Sequence, residues 1–161
     1  MVGRAAGPRL KIRVVSIGKD RKGRFEPLVQ EYAGRLTRQL TFELVVAGEA
    51  RGDDEAARRG EAEALRRQVR ERDIVVALDE RGETLTSEAF AARLGEAQRS
   101  GGRDLAFLVG GPGGLDPGLA REAAWRLSLS RMTLPHQLAR LVLLEQLYRA
   151  LTILRGEPYH K

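Results

Sequence analysis

Leu105–Leu134 reads LAFLVGGPGGLDPGLAREAAWRLSLSRMTL, and the fold turns on this stretch. Leu105–Val109 is a short apolar run ending in glycines, the mark of a buried strand. Gly110, Gly111, Gly113 and Gly114 let the backbone turn sharply and approach another group closely, because no Cβ stands in the way. Asp116 and Pro117 have the chemistry of an N-cap and a first helical residue, predicting a short helix to about Arg126. Leu127–Leu134 alternates through Leu127, Ser128, Leu129 and Ser130 and is expected to be a second strand. Pro135 opens a long last helix to Arg155. Such a unit makes a ligand crevice at the carboxyl ends of parallel strands.

The glycines match no phosphate-loop pattern. Gly111 and Gly113 fit the first two positions of G-x-G-x-x-G, but Asp116 stands at the third. Gly18 and Gly23 have P-loop spacing, but Arg24 and Phe25 follow. On these residues alone the turn is either a close-approach loop for an unspecified ligand or simply a tight turn.

Upstream, apolar runs and helical periods alternate. Lys11–Ile17, Thr41–Ala47 and Asp73–Leu78 read as strands. Pro27–Gln39 reads as a helix, with Leu28, Tyr32 and Leu36 on one face. Glu55–Arg72 is a highly charged helix whose charges are expected to face water. Asp79–Leu85 is expected to be a loop at the carboxyl end of the third strand. Thr86–Ser100 is expected to be a helix capped by Thr86 or Ser87. The alternation predicts an α/β fold with a mainly parallel sheet flanked by helices. The last helix carries Leu138, Leu141, Val142, Leu143, Leu144, Leu147, Leu151 and Leu154 around more than half its circumference. Two apolar faces need two partners, so either a homodimer or a helix enclosed within one subunit is expected, the homodimer foremost.

The 161 residues suit one domain, and 42% hydrophobic content supports a core. Residues 1–10 show no hydrophobic period and are expected to be a disordered extension, leaving 11–161 as a single domain. With no cysteine, disulfides and thiolate metal sites are excluded. With two histidines, His136 and His160, and no ligand-spaced cluster, no metal is expected. His136 at the helix start is either structural or part of a site wall. The start lacks the apolar core of a secretory signal, and Arg140, Glu145 and Arg149 interrupt the most apolar later run. No membrane association and a cytoplasmic location are therefore expected.

The net charge of +6 is unevenly placed. Residues 1–24 hold eight Lys or Arg against Asp20 alone, and the remainder is close to neutral. A focused basic patch suits a phosphate-rich partner, and Gly18–Arg24 is the expected clamp for an RNA backbone. The high ratio of arginine to lysine leaves composition bias as the other reading. At the far end, Tyr159, His160 and Lys161 offer an aromatic ring, an imidazole and a cation that either fray or meet a nucleotide.

Three strings, Phe107–Pro117 (FLVGGPGGLDP), Leu127–Ala150 (LSLSRMTLPHQLARLVLLEQLYRA) and Arg155–Lys161 (RGEPYHK), resemble the bacterial ribosomal large-subunit pseudouridine N3-methyltransferase family of the SPOUT superfamily. The resemblance runs from Lys11 to the end. It implies a C-terminal deep trefoil knot, which ordinary chain topology avoids. It implies S-adenosyl-L-methionine as cofactor, held by Leu78, Gly110 and the backbone of Leu129, Ser130, Arg131, Met132, Thr133 and Leu134. It places the acceptor near Arg149, Tyr159 and His160 as catalytic residues, with Lys161 beside them and the tail of one subunit reaching the cofactor of the other. The implied substrate is pseudouridine 1915 of 23S rRNA in the assembled 70S ribosome. Methyl transfer suits a chain poor in nucleophiles, because the cofactor carries the chemistry and the protein positions and stabilises charge. A SPOUT methyltransferase acting on another RNA nucleotide and a non-catalytic ribosome-binding module remain as alternatives.

Overall fold

The computed structural model describes residues 10–101 and 103–161. Of the extension expected over residues 1–10, residues 1–9 lie outside the described residues, whereas Leu10 belongs to the domain, buried in its core. Five strands form one sheet in the order β2-β1-β4-β3-β5: β1 (Lys11–Ile17), β2 (Thr41–Ala47), β3 (Ile74–Thr84), β4 (Leu105–Val109) and β5 (Trp125–Ser128). Every strand pair is parallel, as the alternating pattern predicted. The helices are α1 (Glu26–Gln39), α2 (Asp54–Arg67), α3 (Ser87–Ser100), α4 (Pro117–Glu122) and α5 (His136–Arg155).

Side chains along a strand alternate between faces, which divides the core in two. Ile12, Val14, Phe107 and Val109 pack with α1, α3 and α5, whereas Val15, Ile17 and Leu108 pack with α2 and α4. Central β4 is buried throughout, as its continuous apolar run requires when both faces are covered. Asp53, Thr86 and Asp116 each accept the N–H three residues on and so cap α2, α3 and α4.

Several sequence expectations are corrected. The segment expected as a strand over Leu127–Leu134 is a strand only over Trp125–Ser128. Beyond it, Ser128 Oγ donates to the Ser130 carbonyl and Ser130 Oγ accepts the Met132 N–H, so serines that mimic alternation turn the chain instead. The helix expected to reach Arg126 stops at Glu122, because Ala123 is extended and leads into β5. The charged helix ends at Arg67, with Val69 tucked against the core in the following turn. Asp79–Leu85 is no simple loop: β3 continues to Thr84, with a register shift between Leu78 and Glu83 where it pairs with β5. On α1 the buried residues are Val29 and Leu36, while Leu28 is exposed.

Three charged residues are buried, two of them, Arg13 and Glu61, in segments expected to face solvent or a partner. Arg13 bonds Asp73 at 2.9 Å and the Gln68 carbonyl at 2.7 Å, so this member of the basic N-terminal segment is structural. Glu61 on α2 lies beside Gly111. Arg140 on α5 is 1% exposed. Helix α5 packs against α1 and α3, so Leu143, Leu144, Leu147 and Leu151 are enclosed within the subunit, and Leu138, Leu141 and Val142 stay half-buried.

Candidate functional site at the carboxyl edge of the sheet

The glycine turn leaves β4 in close order. A Cβ on Gly110 would lie 2.6 Å from the Gly114 carbonyl carbon, so only glycine fits. Gly114, at φ +81°, donates to the Gly111 carbonyl at 2.9 Å and closes the turn. Leu78 lies at the last regular residue of β3 before the register shift. The residues that follow carry two fasteners. Asp79 receives the Arg126 guanidinium of β5 at 2.6 Å, and Glu80 accepts the Thr133 hydroxyl at 2.7 Å. Burial would raise the Asp79 pKa, but the Arg81 amide and the Arg126 guanidinium together bring it below its ordinary value. The loop Leu129–Leu134 is thus tied to β3, with the side chains of Arg131, Met132 and Thr133 exposed.

Next to this loop is a cavity of about 310 Å³, lined by Thr86, Ser87 and Phe90 of the α3 start, Leu127–Leu129, and Val142 and Gln146 of α5. A hydrogen-bonded chain leads from its wall to the C-terminal tail. Ser87 Oγ donates to Gln146 Oε1 at 2.8 Å, and Gln146 Nε2 donates to Glu145 Oε2 at 2.9 Å. Glu145 Oε1 receives Arg149 Nη2 at 2.6 Å and Nε at 3.0 Å, together with the Tyr159 hydroxyl at 3.2 Å. Tyr159 also meets the Tyr32 hydroxyl at 3.3 Å and stands edge-on to Tyr148, with the Arg149 guanidinium 4.9 Å from its ring centre. Burial, then Tyr32 and Glu145, push the Tyr159 pKa far up, so its hydroxyl is a lasting donor.

His160 bridges Arg149 and Glu88. Arg149 Nη1 lies 3.2 Å from Nδ1, and Glu88 Oε1 lies 2.8 Å from Nε2. Arginine can only donate, so Nδ1 accepts and Nε2 carries the proton toward Glu88. The hydrogen bond to His160 holds the Glu88 carboxyl below its usual range. The structure therefore brings Arg149 of α5 together with Tyr159 and His160 of the tail that follows it, beside Glu88 of α3, while Lys161 remains exposed outside the cluster. Sequence reasoning missed Tyr32, Glu88 and Glu145. The spacing of Glu145 four residues before Arg149 on a helix was a usable signal.

The basic loop after β1 also stands at this edge. Lys19, Arg21, Lys22 and Arg24 are exposed, while Asp20 Oδ2 accepts the N–H groups of Phe25 and Glu26 at 2.7 and 3.0 Å. His136 is half-buried, and burial keeps its pKa below the ordinary value. Among the described residues no group of three or more His, Cys, Asp or Glu could hold a metal ion, and no helix is long and apolar enough to cross a membrane.

A family model described as Predicted SPOUT methyltransferase matches residues 10–160. A protein of Anaeromyxobacter sp. (strain Fw109-5) named Ribosomal RNA large subunit methyltransferase H is 53% identical over 154 residues, covering 94% of this chain and all of that protein. A protein of the same name from Ruminiclostridium cellulolyticum is 38% identical over 159 residues, again covering 94% of this chain and all of the relative. Among solved structures, one described as a probable methylase family protein from Haemophilus influenzae Rd KW20 has the same fold, with a TM-score of 0.55 and 15% identity over 94% of this chain and 71% of that one.

Proposed function

The chain belongs to the SPOUT methyltransferase family, and on that premise we propose that it methylates N3 of pseudouridine 1915 in 23S rRNA of the assembled 70S ribosome, using S-adenosyl-L-methionine. The observation that carries this reading is the hydrogen-bonded chain from the cavity wall at Ser87 and Gln146 to Arg149 and Tyr159. It links a pocket for a cofactor to a cluster of donors suited to a nucleobase.

The residues present fit the cofactor. The Leu129–Leu134 loop begins at the cavity and offers main-chain groups, and the Gly110 turn stands at the end of β4, folded so closely on Gly114 that it admits no Cβ. Leu78, Gly110, Leu129, Ser130, Arg131, Met132, Thr133 and Leu134 would hold the cofactor, mainly through main-chain groups. When bound, it supplies an electrophilic methyl group on a sulfonium. The chain's own residues do the rest. Arg149 and the protonated Tyr159 hydroxyl donate toward the negative charge that develops on the uracil face as its N3 proton leaves. His160, held between Arg149 and Glu88, orients the tail. The exposed cations at 19, 21, 22 and 24 grip the RNA backbone.

The same reading includes a single domain from residue 11, a cytoplasmic location, the C-terminal trefoil knot, and a homodimer. Support for the knot is membership of the SPOUT family, and the extended β3 that it would involve lies close on β5, where a Cβ on Gly82 would lie 2.6 Å from the Arg126 carbonyl oxygen. Support for the dimer is the apolar surface left uncovered, with Leu28 on α1 exposed and Leu138 on α5 only half-buried. The test is methyl transfer from labelled S-adenosylmethionine to 70S ribosomes lacking the modification, with the labelled nucleotide mapped. Label at the stated pseudouridine is expected. Label on another nucleotide would replace the substrate, and absence of both label and cofactor binding would leave a non-catalytic module.

A further inference from the structure

Glu61 is a buried carboxyl that the proposed chemistry leaves unused. It lies on α2 at 5% exposure, and among the described residues no cation pairs with it. Its one hydrogen bond there is long, accepted by Oε1 from the Ala50 N–H at 3.4 Å. Such a group is costly to enclose, so what it touches matters. It touches the glycine turn. A Cβ on Gly111 would lie 3.1 Å from each Glu61 carboxyl oxygen and 3.0 Å from Ile17 Cγ2, so the bare Cα is wedged between β1 and the carboxyl. Three residues earlier on the same helix face, the Arg58 stem lies along Gly113, where a Cβ would stand 3.5 Å from Cγ. Ala50 is close to α2 in turn, its Cβ 3.0 Å from the place of a Cβ on Gly60. Helix α2 thus backs the turn at two points and ties it to the loop after β2.

The surroundings favour the neutral carboxyl. β1 faces it with Ile17, the turn with bare backbone, and the loop after β2 with Ala50 and the like charge of Glu49; Arg58, on α2 itself, contacts Gly113 instead. Burial above all pushes the Glu61 pKa above the ordinary carboxyl value, while the Ala50 N–H lowers it and Glu49 raises it again. An ionised Glu61 would stand against Glu49 without a partner and would be drawn toward water, away from Gly111. What moves Gly111 moves the turn, because Gly114 donates to the Gly111 carbonyl and Gly110 packs on Gly114.

We propose that Glu61 is a positioning residue for methyl transfer: its neutral carboxyl braces Gly111 and keeps the Gly110–Gly114 turn in the shape that admits the cofactor. This rests on the proposed function, in which Gly110 belongs to the cofactor site.

Calorimetric titration of the whole chain with S-adenosylhomocysteine between about pH 5 and pH 9 tests this. Glu61→Gln keeps the size of the neutral carboxyl and cannot ionise. It should bind as the unaltered protein does at the acid end and more tightly than it as pH rises, by up to about tenfold per pH unit once the carboxyl ionises. Glu61→Ala removes the brace and should bind about fivefold or more weakly at the acid end, within the range of residues that act on a ligand through others. Glu63→Ala, on the exposed face of the same helix, should leave affinity unchanged. A merely structural role predicts that the affinities of Glu61→Gln and the unaltered protein keep one ratio at every pH. Such a level ratio, or a loss in Glu61→Gln as great as in Glu61→Ala, overturns the proposal. Should Glu61→Ala not fold, the ratio alone decides the matter. Absence of binding by the unaltered protein at every pH would defeat the methyltransferase reading itself, and the proposal with it.

Discussion

Replacing Tyr159 by phenylalanine isolates one hydroxyl in the tail cluster. The ring keeps its packing on Tyr148 and under Arg149, so only the contacts to Glu145 and Tyr32 disappear. At 3.2 and 3.3 Å both are long for O–H···O bonds, so each contributes at the low end, about 0.5 kcal/mol. The expected loss is about 1 kcal/mol, or about 2–4 °C in Tm for a chain of this size. Glu145→Ala removes both the acceptor of the Tyr159 hydroxyl and the charge opposite Arg149, in a pair whose side chains are 20% and 25% exposed, and should cost about 1–2 kcal/mol. Because both substitutions break the same Tyr159–Glu145 bond, the double variant should lose less than the sum, by about 0.5 kcal/mol. Urea unfolding of the four proteins measures this coupling. Methyl transfer should fall in Tyr159→Phe with cofactor affinity unchanged. Additivity within about 0.3 kcal/mol would refute the hydrogen-bonded tail and, with it, the path from cavity to tail.

Gly110→Ala should abolish cofactor binding, since its Cβ would press on the Gly114 carbonyl carbon at 2.6 Å; retained affinity in a titration would remove the turn from the site. Asp79 has a depressed pKa, so its pairing with Arg126 stabilises the fold above the ordinary aspartate value of about 3.9 and is lost as pH falls through the lower folded value. Asp79→Asn should therefore cost about 1 kcal/mol at neutral pH and lose part of the acid-dependent drop in Tm, whereas parallel Tm–pH curves would contradict this. Changing Lys19, Arg21, Lys22 and Arg24 to glutamine should weaken rRNA binding and reduce its salt slope by up to about 3–4; an unchanged slope would mean that these cations touch no phosphate.

The strands of the sheet were legible because apolar runs such as Leu105–Val109 have little choice but burial, and helix starts were legible because Asp116–Pro117 and Thr86 carry the capping chemistry themselves. The strand order was not, since nothing local says that β1 lies between β2 and β4. The end of β5 was misread because Ser128 and Ser130 satisfy nearby backbone groups with the same residues that make an alternating pattern. Buried charges were the larger loss. Arg13 is enclosed only because Asp73, 60 residues away in sequence, comes to meet it, and Arg140 reads in sequence merely as an interruption of an apolar run. Arg149 of α5 and the tail residues Tyr159 and His160 were named through family resemblance, whereas Glu145, Glu88 and Tyr32 came from the structure.

Asp20 is the one acid in a loop of cations, and charge counting alone marks it as a defect in an RNA clamp. Its carboxylate, however, laces residue 20 to the amides of Phe25 and Glu26, making a closed hoop that presents Lys19, Arg21, Lys22 and Arg24 in a fixed arrangement. A hoop already shaped gives up less freedom when it meets its partner. Asp20→Ala would make the loop more positive and should nevertheless bind rRNA more weakly, an inversion of the electrostatic expectation that a filter-binding titration can read directly. In the proposed clamp preorganisation would count as much as charge, and the negative residue would be part of the grip.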